Sequence, residues 1–301
     1  MIKMNMPDFI TGFHIYDNYF YLKKNYPYVF DPNIEISSIF GCFPNCIWMG
    51  GGHFHSNIFY LSDSIERCVE FYNKNNMPIR FTFTNPVLTK EMYHDQYGHR
   101  ILEIANTGMN EIITSIPDFE KFLQDKYPNY KYVRSIIGTK DEPLSFDDTT
   151  YMTVLRRQDN HNWDYLNSIP EEIRPKVELL CNDPCDNDCP RIYSHYRDHG
   201  RRQISYGDFN VRTECTFRRK RSALVNAEQN ACLPTSITKE QVLKEYLPKG
   251  YINFKISGRF NPGSIIEETT KWFILPEYQS DFREVCVNKI FHFYKEDKLV
   301  F

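Results

Sequence analysis

Apolar and polar positions along the chain follow two periods. Short β-type runs are CIWMGG (46–51), IRFTFTN (79–85), NEIITSI (110–116), YKYVRSI (130–136), YMTVLRR (151–157), VELLCN (177–182) and INFKISGR (252–259). Between them lie longer stretches whose apolar residues recur three or four apart, the spacing of one helix face. Ile65, Cys68, Val69 and Tyr72 share such a face, with Asp63 as a start signal and Glu66 placed to complete a capping box. Thr89 is the expected N-cap of KEMYHDQYGHRILEIA, and Pro117 suits the first turn before DFEKFLQDKY. Thr238 with Gln241 makes a second capping box ahead of QVLKEYL, Gly250 follows as a stop, and Pro262 opens GSIIEETTKWFIL. Residues 1–40, rich in Tyr, Phe, Asn and Pro, show no clean period and read as an irregular N-terminal cover.

Strands separated by helical crossovers form a parallel sheet. The runs above, with a further strand expected near 230–237, approach eight, which favours a TIM-like (β/α)8 barrel, incomplete or decorated, over residues 41–301. An open doubly wound sheet competes, but GGGHFHS (50–56) matches neither a G-x-G-x-x-G loop nor a P-loop. Neither a repeat nor a Gly/Ser linker divides the chain into further domains.

Composition narrows the class. Of 301 residues, 41% are hydrophobic and 25% charged, as in ordinary globular domains and unlike disordered or fibrous chains. No apolar run reaches the ~20 residues that cross a bilayer. The opening MIKMNMPDFITGFHIY lacks the pattern of a signal peptide. A cytoplasmic protein without membrane partners is expected. Lys and Arg number 36 against 39 Asp and Glu, so a surface basic throughout is excluded while a local basic patch is not.

Nine cysteines are many for such a chain, and their placement says more than their number. Cys68 and Cys286 suit buried packing positions. Cys181, Cys185 and Cys189 recur every fourth residue, and Cys215 and Cys232 follow. The segment ELLCNDPCDNDCPRIYSHY begins as a strand and breaks into a polar loop, and loops after barrel strands line the face where active sites sit. Four thiolates hold either zinc or an iron–sulfur cluster. The absence of paired C-x2-C knuckles favours the cluster over zinc, and incidental buried thiols are the plain alternative. Cys181-x3-Cys185-x3-Cys189 departs from the C-x3-C-x2-C spacing of radical-SAM enzymes. His53 and His55 form an H-x-H pair with no carboxylate at ligand spacing.

From Arg191 to Arg221 the chain is basic, with Arg201 and Arg202 adjacent. Such a run is either a solvated loop or the receiver of an anionic substrate, a small molecule or RNA. Tyr193, Tyr196, Tyr206 and Phe209 offer stacking surfaces for the latter. Lys255 alternates with Phe254 and Ile256 in FKISGR, so it faces the barrel interior or mouth and needs an anionic partner. A structural pair with Glu178 and a substrate contact both satisfy it. Asn85 and Asn182 end predicted strands as polar liners of the same face.

These motifs resemble a known family. ELLCNDPCDNDCPRIYSHY resembles E-[IL]-L-x-N-x-x-C-x3-C-P-x4-H-Y. ACLPTSITKEQVLKEYLPKGYINFKISGR then resembles the run of Cys, helix, Gly and K-I-x-G-R strand found in the collagenase-like peptidases, family thirty-two of the unknown-mechanism class (U32). IRFTFTNPVLTKE adds to the likeness, which covers roughly 46–275. The resemblance implies a TIM-like barrel with a [4Fe-4S] cluster on Cys185, Cys189 and Cys232, with Cys215 as fourth ligand and Cys181 second choice. It also implies oxygen-independent hydroxylation of an RNA base or a quinone-like aromatic, with prephenate as co-substrate. A peptidase and a non-enzymatic metal-stapled binding protein are the alternatives. Under this reading Lys255, Arg259, Asn85 and Asn182 are the catalytic candidates, and Arg201, Arg202, His195 and Tyr196 bind substrate. The sequence is not expected to include the C-terminal accessory domain of the longer RNA-acting members.

Overall fold

The computed structural model describes residues 1–51, 59–138, 150–183, 185, 189–206, 235–258 and 261–295, with side chains to residue 288. Eight parallel strands close a barrel in sequence order. They are β1 (Ile2–Pro7), β2 (Ile34–Gly41), β3 (Ile79–Phe83), β4 (Glu111–Thr114), β5 (Lys131–Arg134), β6 (Met152–Val154), β7 (Val177–Leu180) and β8 (Asn253–Lys255). β8 pairs with β1 through Lys3↔Asn253 and Asn5↔Lys255, which closes the ring.

The helices are α1 (Phe13–Asn25), α2 (Ser62–Lys74), α3 (Gln96–Ile104), α4 (Pro117–Lys126), α5 (Trp163–Ser168), α6 (Ile192–Ile204), α7 (Lys239–Gln241, continued by a π turn at Val242–Tyr246), α8 (Pro262–Phe273) and α9 (Gln279–Lys295). Ile65, Cys68, Val69 and Tyr72 are the buried face of α2. That helix starts at Ser62 rather than after Asp63, so the capping box expected there does not form. The stretch after Thr89 is a short 3-10 turn, and α3 is capped instead by Asp95, whose side chain accepts from Gly98 N. The Thr238/Gln241 capping box is present, and Gly250 takes the left-handed conformation that stops the run at φ 88°.

The reading of residues 1–40 as irregular is corrected. That segment supplies β1, α1 and nearly all of β2. The strand assigned to 46–51 is also corrected. Those residues form turns, buried because Trp48 packs on Phe83, His99 and Phe119 and donates its Nε1–H to Met92 O at 2.7 Å. Gly50 lies so close to the end of β3 that a Cβ there would stand 2.2 Å from the Thr84 carbonyl. The described part of the strand expected near 230–237, residues 235–237, is not a strand, and β8 is the eighth.

Alternation along the strands divides the core in two. Ile2, Met4, Met6, Ile79, Phe81, Phe83, Ile112, Leu179 and Phe254 point outward into a continuous layer beneath the helices. Inside the barrel, Ile113, Val133, Met152, Val154 and Leu180 make a separate small apolar cluster. The rest of the interior is ionic. Arg80 donates from Nε to Glu111 Oε2 at 2.6 Å and from Nη1 to Glu178 Oε2, while Asn5 Nδ2 donates to Glu178 Oε2 at 2.7 Å. Burial opposes the Arg80 charge, but the two adjacent carboxylates more than offset that and hold its guanidinium above the ordinary range. Lys255 Nζ completes the group 3.7 Å from Glu178 Oε1 and 4.1 Å from the centre of the Phe40 ring.

Candidate functional site at the barrel mouth

Where β6 and β7 end, a second arginine is buried. Arg157 follows β6 on a single 3-10 turn and is 1% exposed. Its Nη1 donates to Asp183 Oδ1 at 3.0 Å and its Nη2 to the Tyr196 hydroxyl at 2.6 Å. Its Nε has no hydrogen-bond partner among the described residues. Asp183 Oδ1 also accepts from Cys185 N at 3.0 Å, the local turn an aspartate makes with the amide two residues on. That turn sets the Cys185 thiol beside the guanidinium.

Burial and the Asp183 carboxylate push the Cys185 thiol up to about 11, with Arg157 acting against them. Cys185 is therefore a neutral thiol at pH 7 in this arrangement. Burial, then Asp183, likewise raises Tyr196, although Arg157 opposes the shift. Arg157 itself is held above its ordinary value: desolvation disfavours its charge, and Tyr196, Asp183 and Cys185 outweigh it.

α6 does not pack on the outside of the sheet like a crossover helix. It spans the mouth. Near its start Tyr196 meets Arg157 after β6. Further on, Gly200 O accepts from Asn85 Nδ2 at 3.2 Å beyond β3. Then Gln203 Nε2 donates to Cys46 O at 3.0 Å beyond β2. Positions 196, 200 and 203 form one helical stripe, and the glycine is required because a Cβ at 200 would stand 2.2 Å from Asn85 Oδ1.

The nominated residues divide accordingly. Asn85 is fully buried, its amide divided among Ile47 O, Gly200 O and Val87 N, so it docks α6 and the 46–50 turns on β3. Asn182 joins the ends of β7 and β8 through Ser257 N and O, and reaches Glu268 Oε1 of α8 at 3.2 Å. Lys255 sits in the interior ionic group with Glu178, the structural pairing weighed for it from the sequence. Tyr196 lies at the Arg157 cluster. Arg201 is exposed and pairs with Asp198 at 3.2 Å, while Arg202 is half-buried on the same helix. His195 faces His199, their Nε2 atoms 2.8 Å apart. Arg259, Cys215, Cys232, His53 and His55 lie outside the described residues.

Arg157, Asp183 and His199 were not singled out from the sequence. The signal for Arg157 is a pair of arginines closing a β-type run, and for Asp183 its place inside the cysteine motif.

For a cluster, the donor chemistry fits in part. Cys185 and Cys189 are both partly exposed at the rim, where thiolates could be recruited. Cys181 does not join them. It is 2% exposed, points into the outer apolar layer, and burial raises its thiol well above the ordinary range, so it packs. Among the described residues no group of three or more His, Cys, Asp or Glu side chains is placed to hold a metal ion. No described helix is long and apolar enough to cross a membrane.

No protein-family model matches the chain. Over 171 residues it is 24% identical to an uncharacterised protease of Methanocaldococcus jannaschii, an alignment covering 54% of this chain and 49% of that protein. The matched region thus spans about half the length of that relative. A solved structure of a U32 peptidase superposes with a TM-score of 0.49 at 9% identity, over 86% of this chain and 93% of that one. The chain is thus similar in sequence to that protease over the matched region, and the (β/α)8 barrel that the resemblance implied is the fold observed.

Proposed function

We propose that the protein is an enzyme of the U32-peptidase type that acts on a peptide or peptide-like substrate at the barrel mouth beneath α6. The observation that carries this reading is Arg157. A buried guanidinium with an unengaged Nε–H, at the end of the barrel where such folds work, is a ready donor to a carbonyl or carboxylate oxygen. Asp183 holds its plane, and Tyr196, already accepting from Arg157, keeps its own O–H to donate. Because Cys185 is a neutral thiol here, the reading assigns the attack to water rather than to a thiolate. The similarity to a protease supports the substrate class.

Oxygen-independent hydroxylation is the second reading, favoured by Cys185 and Cys189 meeting at the same rim. There they would hold an iron–sulfur cluster with Cys215 and Cys232, or zinc in the stapled alternative. A bound cluster would activate the oxygen donor, for which prephenate is the candidate. Arg201 and Arg202 then remain candidate anion holders, with RNA among the substrates to compare.

Two measurements on one anaerobic preparation separate the readings: iron per chain, and mass-spectrometric analysis of an unstructured peptide mixture after incubation. The proposal expects new peptide termini. Intact peptides together with about four irons per chain would overturn it in favour of the hydroxylase.

A further inference from the structure

We propose that His195 and His199 form a binding site for a divalent transition-metal ion of the zinc type on α6. The two residues are one helical turn apart, their Nε2 atoms are 2.8 Å apart, and their ring centres 4.4 Å apart. Two ring nitrogens approach this closely only when one carries a proton and the other presents a lone pair. A metal ion can take the place of that proton. With Zn–N bonds of ~2.0–2.1 Å at a tetrahedral angle, two imidazole nitrogens stand roughly 3.3 Å apart, so an opening of about half an ångström converts the hydrogen-bonded pair into a chelate. Small rotations of two half-buried side chains supply it.

The position suits a working site. The stripe of Tyr196, Gly200 and Gln203 faces the barrel mouth, and at ~100° per residue His195 and His199 lie along one edge of it. Paired histidines at i and i+4 on a helix are the zinc-binding arrangement of several hydrolase motifs. Here the order His195-Tyr196-Arg197-Asp198-His199 also places a carboxylate just before the second histidine, as H-x-x-E-H does. Asp198 is held by Arg191 at 3.6 Å and Arg201 at 3.2 Å. Among the described residues the two histidines are the protein ligands, and a site with two ligands is open to further ones, unlike a closed structural site. The inference stands on the helix geometry and is independent of the peptidase reading.

The test is calorimetric titration of the full chain with Zn2+ at pH 7.5, repeated in the Cys185→Ser, Cys189→Ser double variant so that rim thiols do not contribute. Binding should persist in that variant and weaken at least about tenfold in His195→Gln and in His199→Gln, each checked for an unchanged thermal melt. Co2+ in the same variant should give a spectrum of nitrogen and oxygen ligation without a thiolate charge-transfer band. Binding that vanishes with the cysteines, binding that survives both histidine changes, or no binding up to millimolar Zn2+ would overturn the proposal.

Discussion

Two arginines are buried in this barrel, and they are held differently. Arg80, at the heart of the interior, has every nitrogen engaged: Nε on Glu111, Nη1 on Glu178 and Nη2 on Met152 Sδ at 3.8 Å. Arg157, at the mouth, has one carboxylate, one phenol, the Cys185 thiol beside it and an Nε with no described hydrogen-bond partner. Both are charged and desolvated. A buried charge is tolerated when it is paired, and an unused donor beside a strand end at the barrel mouth costs stability without contributing to the fold. The first arginine is part of the scaffold. The second is where the scaffold leaves a donor for something else.

The comparison breaks most visibly at Arg80. Arg80→Met leaves Glu111 and Glu178 buried, with Lys255 and the Asn5 amide still on Glu178, and removing one partner of such a group costs about 3–5 kcal/mol. Urea unfolding should show that loss, whereas Arg157→Met, which strands one buried carboxylate that keeps the Cys185 amide as a donor, should lose less. Equal losses would mean that both arginines are scaffold.

Gly200→Ala should come next. Its new Cβ would meet Asn85, so α6 must lift from β3, at about 1–3 kcal/mol and with faster proteolysis between 192 and 204. Adding Asn85→Ala should restore part of the loss, making the pair non-additive. Strict additivity would show that α6 is not docked through this contact.

The smallest effect is expected at the periphery. Burial works to raise the Asp31 carboxyl, yet Asn33 N, Lys239 at 2.9 Å and the Asn33 side chain together hold it below its ordinary value. A depressed folded value means the contribution is full above the unfolded carboxylate range of about 4 and disappears as pH falls through the lower folded value. Asp31→Asn should therefore flatten the acid limb of a stability–pH curve and leave the unfolding midpoint at pH 2 nearly unchanged. An acid limb identical to wild type would remove Asp31–Lys239 from the account.

Six of the barrel strands were legible as apolar runs because both faces of a parallel strand are buried. β1 and β2 were not, and the reason is the uncharged polar residues they place toward the ionic group. Asn5, Ser37 and Ser38 occupy inward positions, where Asn5 supports Glu178 and both serines donate to Asn5 Oδ1 at 3.0 and 2.7 Å. These polar residues interrupt the run a strand would show. Residues 46–51 misled in the opposite sense, since a buried turn packed by Trp48 is as apolar as a strand. At the site, Tyr196 was marked by the sequence as a stacking or substrate-binding surface, and in the structure its hydroxyl accepts from Arg157. The meeting of Arg157 with Asp183 was not legible, because it joins the ends of two strands through a turn whose geometry the sequence order does not display. Asn85 illustrates the remaining difficulty: a polar residue at a strand end reads as a catalytic liner, but its partners, Ile47 O and Gly200 O, come from two distant segments.

The central claim is that the donor left over at the mouth, and not the interior ionic group, meets the substrate. The most direct measurement compares kcat/KM for a cleaved peptide between wild type and Arg157→Lys, with thermal melts confirming that both are folded. Lysine keeps the charge but loses the fork of guanidinium donors, so the account predicts a loss of at least about tenfold with little change in melting temperature. Unchanged kcat/KM in a folded Arg157→Lys protein would contradict it.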